Sequence, residues 1–287
     1  MSKLFASIAA GAAFFTTAAW ADQPHPWQWR FQEAASPIME QIEWFEVYTL
    51  WFIVPITLFV LALLAYCIWK FRESVNPNPS RTSHNTVIEI IWTVAPVVVL
   101  LMIAVPSFQL LTHQYTPDEE PKLTLKATGN QWNWDYEYQI AEPLSFNSAL
   151  LADGDREAAG KADMARYPRL LAVDNEVVVP VNTTTRVLVT AADVMHAFAM
   201  PAFGIKVDAV PGRINETWFK ATKEGLYYGQ CSELCGKDHA FMPIAIRVVS
   251  EEQYNTWLTA AKTDLPGANK ALMAATDGVS KVASAGN

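Results

Sequence analysis

Two long apolar runs constrain what this chain can fold into more than any other feature. The first, about Val47–Trp69, carries no charge; the second, about Val87–Leu111, carries one carboxylate, Glu89, near its start. Each exceeds the roughly 20 residues that cross a hydrocarbon core, and in lipid only a helix satisfies its own backbone over such a length. Pro55, Pro96 and Pro106 lie inside these runs and are tolerated there. The spacing predicts a helical hairpin over 47–113 with a connecting loop at about 70–86. That loop holds Lys70, Arg72 and Arg81, whereas the outer flanks hold Glu40, Glu43 and Glu46 on one side and Asp118, Glu119 and Glu120 on the other. Basic residues in a short loop place it in the cytoplasm and both termini outside. Trp44, Trp51, Tyr66 and Trp69 suit the two interfacial belts.

An export leader agrees with that topology. Lys3, an Ala/Phe-rich stretch and Ala19-Trp20-Ala21 read as a signal peptide over 1–21, leaving 22–46 as an external N-terminal segment. From residue 114 onward there are 16 Lys/Arg against 22 Asp/Glu, a balance of −6. An acidic exported region argues against a nucleic-acid partner. Over 114–262 the chain alternates in short β-branched and aromatic runs, including Lys122–Ala127, the series Trp132, Trp134, Tyr136 and Tyr138, and Ile244–Val249. Many short strands without intervening helices predict an all-β sandwich or barrel. Trp134, Tyr136 and Tyr138 are expected in its core. Residues 141–168 read as a surface insertion with one short helix, Glu251–Lys262 as a terminal helix, and 263–287 as a flexible tail.

The stretch from Cys231 to Met242 carries the chemistry. Cys231 and Cys235 are four apart, His239 follows four later and Met242 three after that, punctuated by Gly229, Gly236 and Pro243 as in a loop between strands. Soft sulfur and imidazole donors suit copper, zinc or iron–sulfur, and the neighbouring thioether favours copper. A disulfide on the oxidising side of the membrane competes with this, as does structural zinc, although the Cys-x2-Cys spacing of zinc sites is missing. Cys-x-x-Cys-His, which would attach haem, is missing too. Two thiolates can bridge two copper ions, and each then needs one imidazole and one weaker ligand. His196 is the best second histidine, because His25, His84 and His113 lie in the tail or at membrane ends. A backbone carbonyl in the Cys231–Cys235 loop would complete the set.

With these residues the chain resembles cytochrome c oxidase subunit II over nearly its whole mature length. The resemblance rests on Ser36-Pro37-Ile38-Met39-Glu40, His84–Glu89, Gly129–Tyr138, Lys206–Arg213, and Tyr227-Tyr228-Gly229-Gln230 leading into the cysteine loop. It implies a membrane-anchored all-β protein of the bacterial inner membrane, with a two-helix hairpin followed by a cupredoxin-like β-barrel on the periplasmic side. It also implies a dinuclear copper A centre on His196, Cys231, Cys235, His239 and Met242. Glu233 would give its backbone carbonyl to copper and its carboxylate to a magnesium or manganese ion at the interface with subunit I. Trp132 matches the family's entry point for electrons from cytochrome c, and Glu89 the entrance of a proton channel into the catalytic subunit. Acids near the entry, with Glu137, Asp174 and Asp193 as candidates, would steer a lysine-rich cytochrome. The implied partners are subunit I and the other oxidase subunits, cytochrome c and membrane lipid. The implied activity is electron entry into an oxidase whose oxygen chemistry and proton pumping are completed in subunit I. Asn130 and Asn133 depart from the His and Tyr frequent in the family. The alternative from another class is a membrane-anchored copper-delivery protein, which would want exposed, exchangeable ligands.

Overall fold

The computed structural model describes residues 23–285, so the leader expected over 1–21 lies outside it. Two long helices come first, α1 (Pro37–Lys70) and α2 (Thr86–Tyr115). Each starts at a defined cap. The Ser36 hydroxyl accepts from the Met39 N–H with Pro37 in the first turn, and the Asn85 side chain accepts from the Val87 and Ile88 N–H groups. At 1.5 Å per residue, 34 and 30 residues extend about 50 and 45 Å, more than a bilayer's hydrocarbon core. The apolar side chains from Val47 onward face outward, as lipid or partner subunits require of them. The first helix begins ten residues before the apolar run. Its opening turn is not a membrane segment: Ile38 and Met39 are buried against the β-domain.

Ten strands follow: β1 (Leu123–Asn130), β2 (Asn133–Tyr138), β3 (Leu144–Ser148), β4 (Val177–Pro180), β5 (Thr184–Ala191), β6 (His196–Met200), β7 (Ile205–Ala209), β8 (Asn215–Lys220), β9 (Gly225–Cys231) and β10 (Pro243–Val249). They form two five-stranded sheets, ordered β3-β2-β1-β5-β8 and β4-β10-β9-β6-β7, which pack as the cupredoxin-like β-fold that was expected. Strand alternation drives the packing. Trp134, Tyr136 and Tyr138 are all buried, as expected from the alternation in β2. The Tyr138 hydroxyl accepts from the Val178 N–H and donates to the Val178 carbonyl, both at 2.8 Å, which pins the two sheets together.

Two expectations need correction. The 141–168 segment is more than a surface insertion with a helix. Its start pairs with β2 as edge strand β3, its only helical turn is the 3-10 turn Asp153–Asp155, and Leu151 and Tyr167 build a second small core with Leu226 and Tyr228. The tail is not loose either. After α3 (Glu251–Ala261), closed by the Ser250/Gln253 capping box, the chain forms α4 (Leu265–Ala285). Ala268, Leu272 and Met273, the last two spaced four and five residues from the first, are buried, so α4 has an apolar stripe that composition alone concealed.

Candidate metal centre

Antiparallel pairing brings the candidate ligands together. His196 opens β6 and Cys231 closes β9, and the two strands are paired through Phe198↔Cys231. Cys235 lies in the following loop, His239 begins a 3-10 turn, and Met242 precedes β10. The Sγ atoms of Cys231 and Cys235 are 3.9 Å apart, nearly twice a disulfide bond length, and both thiols are free. His196 Nδ1 is 3.8 Å from Cys231 Sγ, and His239 Nδ1 is 3.6 Å from Cys235 Sγ. Met242 Sδ is 3.5 Å from Cys235 Sγ, and the Glu233 carbonyl is 3.3 Å from Cys231 Sγ. Two sulfurs at the centre, an imidazole at either side and one weak donor near each sulfur make a donor set that fits copper better than zinc or an iron–sulfur cluster. His196, Cys231, Cys235 and Met242 are all buried, so the set is preformed within the fold.

The electrostatics agree with a metal-binding role. Burial, reinforced by the neighbouring Cys231 sulfur, pushes the Cys235 thiol up to about 12. Binding of a cation at Cys235 therefore displaces its thiol proton. The other face of His196 is held from outside, with Nε2 3.0 Å from Asp193 Oδ1, which leaves Nδ1 to face the cysteines. Asp193 Oδ2 accepts from the Gln131 N–H at 2.7 Å and Oδ1 from the Val194 N–H at 2.6 Å. Partial burial opposes the Asp193 charge, but the His196 ring and these two N–H groups outweigh it and hold the carboxyl below its ordinary range. A carboxylate fixing the tautomer and orientation of a metal-ligating imidazole typically contributes 10- to 100-fold in metal affinity. Asp193→Ala is accordingly expected to weaken copper binding by about that factor in a chelator competition while leaving far-UV circular dichroism unchanged.

Glycine makes room for this arrangement at two places. A Cβ on Gly129 would lie 2.8 Å from the His196 ring, so Gly129→Ala pushes the imidazole off its position. Gly236 has φ +130°, and a Cβ there would lie 2.9 Å from the Trp132 ring. Trp132, half-buried in the β1–β2 turn, thus lies directly over the cysteine loop. The Gln131 side chain ties the turn down by donating to the Cys235 carbonyl at 2.8 Å, and Lys237 Nζ lies 5.7 Å from the Trp132 ring centre.

The remaining candidates lie elsewhere. Glu137 is on β2 beside Lys126 and Gln139, and Asp174, in the bend that precedes β4, accepts from the Ala149 and Asn175 N–H groups. Glu89 is in the first turn of α2, where its carboxylate accepts from the Asn85 N–H at 3.1 Å and completes the helix cap. Glu233 is half-buried in the cysteine loop. Sequence reasoning missed Gly129, Gln131, Gly236 and the imidazole-holding role of Asp193. The spacing Asp193-x-x-His196 was the one signal available for the last.

The family profile described as cytochrome C oxidase subunit II, periplasmic domain, matches residues 123–249, and the one described as cytochrome C oxidase subunit II, transmembrane domain, matches residues 24–110. A protein described as probable cytochrome c oxidase subunit 2 from Rickettsia bellii is 46% identical over 266 residues, covering 92% of this chain and 96% of its own. Cytochrome c oxidase subunit 2 of Oenothera berteroana is 46% identical over 253 residues, covering 85% and 94%. A crystal structure of the periplasmic domain of subunit II of cytochrome oxidase from Bradyrhizobium japonicum is 55% identical, covers 51% of this chain and 98% of its own, and superposes with a TM-score of 0.46.

Proposed function

This chain belongs to the cytochrome c oxidase subunit II family, and on that footing we infer that it admits electrons from cytochrome c into a membrane-bound oxidase. The observation that carries this reading is the ring of two imidazoles, a thioether and a backbone carbonyl around the Cys231–Cys235 sulfur pair, with Trp132 packed on the same loop. When bound there, a dinuclear copper A centre would supply a one-electron store. The residues of the chain do the rest. Cys231, Cys235, His196, His239 and Met242 would hold the centre, together with the Glu233 carbonyl. A buried, two-strand site resists exchange, which disfavours copper delivery as the role.

Trp132 is the proposed contact for cytochrome c, with Asp193 at its edge and Glu137 and Asp174 contributing to the negative field that orients a basic partner. The Glu233 carboxylate is proposed to hold magnesium or manganese against subunit I. Glu89, at the start of α2 on the side opposite the barrel, is proposed as the cytoplasmic mouth of a proton path. The reading places the barrel in the periplasm of a bacterial inner membrane, and the leader over 1–21 belongs to the same proposal. Trp132→Ala is expected to slow reduction by cytochrome c about tenfold or more, the scale of a lost interfacial tryptophan, with copper content unchanged. Stopped-flow reduction at an unchanged rate would remove Trp132 from the pathway.

A further inference from the structure

We propose that the joint between α1 and the β-barrel is a rigid mount that fixes the position of the metal centre over the membrane, with Ser36 and Gly204 as its positioning residues. Strand β6 connects the two places. It starts at candidate ligand His196, is paired with the Cys231 strand, and runs about 13 Å to Met200, where the 3-10 turn Pro201–Phe203 follows. Met200, Ala202 and Phe203 are fully buried there. The Ser36 hydroxyl serves both partners, capping α1 by accepting from the Met39 N–H and donating to the Phe203 carbonyl at 2.7 Å. Ala35 bridges the same way, donating to the Ala202 carbonyl and accepting from the Thr222 N–H, both at 2.9 Å.

Gly204 closes the joint. Its φ of +69° disfavours any side chain, and a Cβ would lie 3.1 and 3.2 Å from the Met39 Cα and N atoms, within the first turn of α1. The second helix is held independently, because the Trp218 indole N–H donates to the His113 carbonyl at 3.1 Å. A barrel merely tethered by a linker would reorient freely. Here the Ser36 hydroxyl and the Ala35 N–H are hydrogen-bonded to the Phe203 and Ala202 carbonyls of the 3-10 turn that directly continues the ligand-bearing strand, so displacing the start of α1 displaces that turn. The inference rests on the electron-transfer reading, since a fixed distance to a partner's acceptor is what that role requires.

The test uses the full chain, copper-loaded, in lipid nanodiscs. With Cys231 and Cys235 engaged by metal, Cys67 on α1 is the one remaining cysteine of three and takes a nitroxide label. Pulsed electron paramagnetic resonance between that label and the copper centre then measures from the membrane helix to the site. The expected result is one narrow distance, broadened or shifted in Gly204→Val and, to a smaller extent, in Ser36→Ala, with the copper spectrum unaltered. A broad native distribution, or variants indistinguishable from native, overturns the mount. Should Gly204→Val fail to fold, Ser36→Ala carries the same comparison, since it removes only the hydroxyl that caps α1 and donates to the Phe203 carbonyl. A Ser145→Cys label paired with Cys67, in a Cys231→Ser/Cys235→Ser background, repeats it without metal. A lost copper signal thus counts against the electron reading, and a broad nitroxide pair against the mount.

Discussion

Cys235→Ser is expected to abolish the two-copper centre while leaving the barrel folded. Cys235 Sγ is the hub of the site, 3.9 Å from Cys231 Sγ, 3.6 Å from His239 Nδ1 and 3.5 Å from Met242 Sδ. A serine hydroxyl is smaller, harder and not ionised at neutral pH, so it cannot bridge two soft cations. The residue is buried, and the swap removes little volume, so the expected loss of stability is only about 1–2 kcal/mol. Copper per chain, read by elemental analysis after reconstitution and desalting, should fall from two ions to at most one, with a melting temperature only a few degrees lower. Retention of both ions would show that Cys235 is not a bridging ligand.

The largest stability effect is expected from Glu176→Gln, well away from the metal. Glu176 is buried between two buried cations, with Lys161 Nζ at 3.0 Å and Arg247 Nε at 2.6 Å. Burial alone would raise its carboxyl, but the Arg247 guanidinium and the Lys161 ammonium overcome this and hold it at about 2. Neutralising it removes the carboxylate that both buried cations share, and breaking a buried pair in this way costs about 3–5 kcal/mol. The cluster joins the 149–176 segment to β10, and Arg247 also reaches Thr276 on α4 and the Tyr167 hydroxyl. Its loss should therefore loosen both and appear as a large drop in the urea midpoint. The pH dependence has a definite sign. A carboxyl with a folded value near 2, below the ordinary value of 4.5, contributes stability that is fully present above about pH 4.5 and is lost as pH falls toward 2. Glu176→Gln should flatten the acid-unfolding slope in that window. A variant with native slope and native midpoint would show that the cluster is not coupled to folding.

What the sequence made legible follows from the range over which each signal acts. The membrane helices and the β2 alternation are local periodicities, and both appear where expected, with Trp134, Tyr136 and Tyr138 buried. The cysteine loop is local as well, so four of the ligand side chains and a carbonyl donor could be gathered within twelve residues. His196 lies far from that loop in sequence, and β6–β9 pairing is what brings it beside Cys231. The Lys161–Glu176–Arg247 cluster was invisible because its carboxylate and guanidinium are 71 residues apart, and each reads singly as an ordinary surface charge. Helix α4 was hidden by its Ala/Gly/Ser content, since its buried positions, Ala268, Leu272 and Met273, make a thin stripe. Asp193 was read as a docking acid because its neighbour across the β1–β2 turn, Gln131, lies 62 residues away and gives no local sign of the contact. Residues 33–39 were assigned to the external tail, although Ala35 and Ile38 belong to the barrel's own core.

That last point dictates the material for the decisive measurement. A fragment beginning at residue 114 would lack Ala35, Ser36 and Ile38, so the full chain in detergent or nanodiscs is the sample. After copper loading, metal content and the electron paramagnetic resonance spectrum are recorded together. The expected result is two copper ions per chain sharing one unpaired electron, seen as hyperfine splitting from both nuclei. A single isolated copper, bound zinc, or a Cys231–Cys235 disulfide that refuses metal under reducing conditions would contradict it.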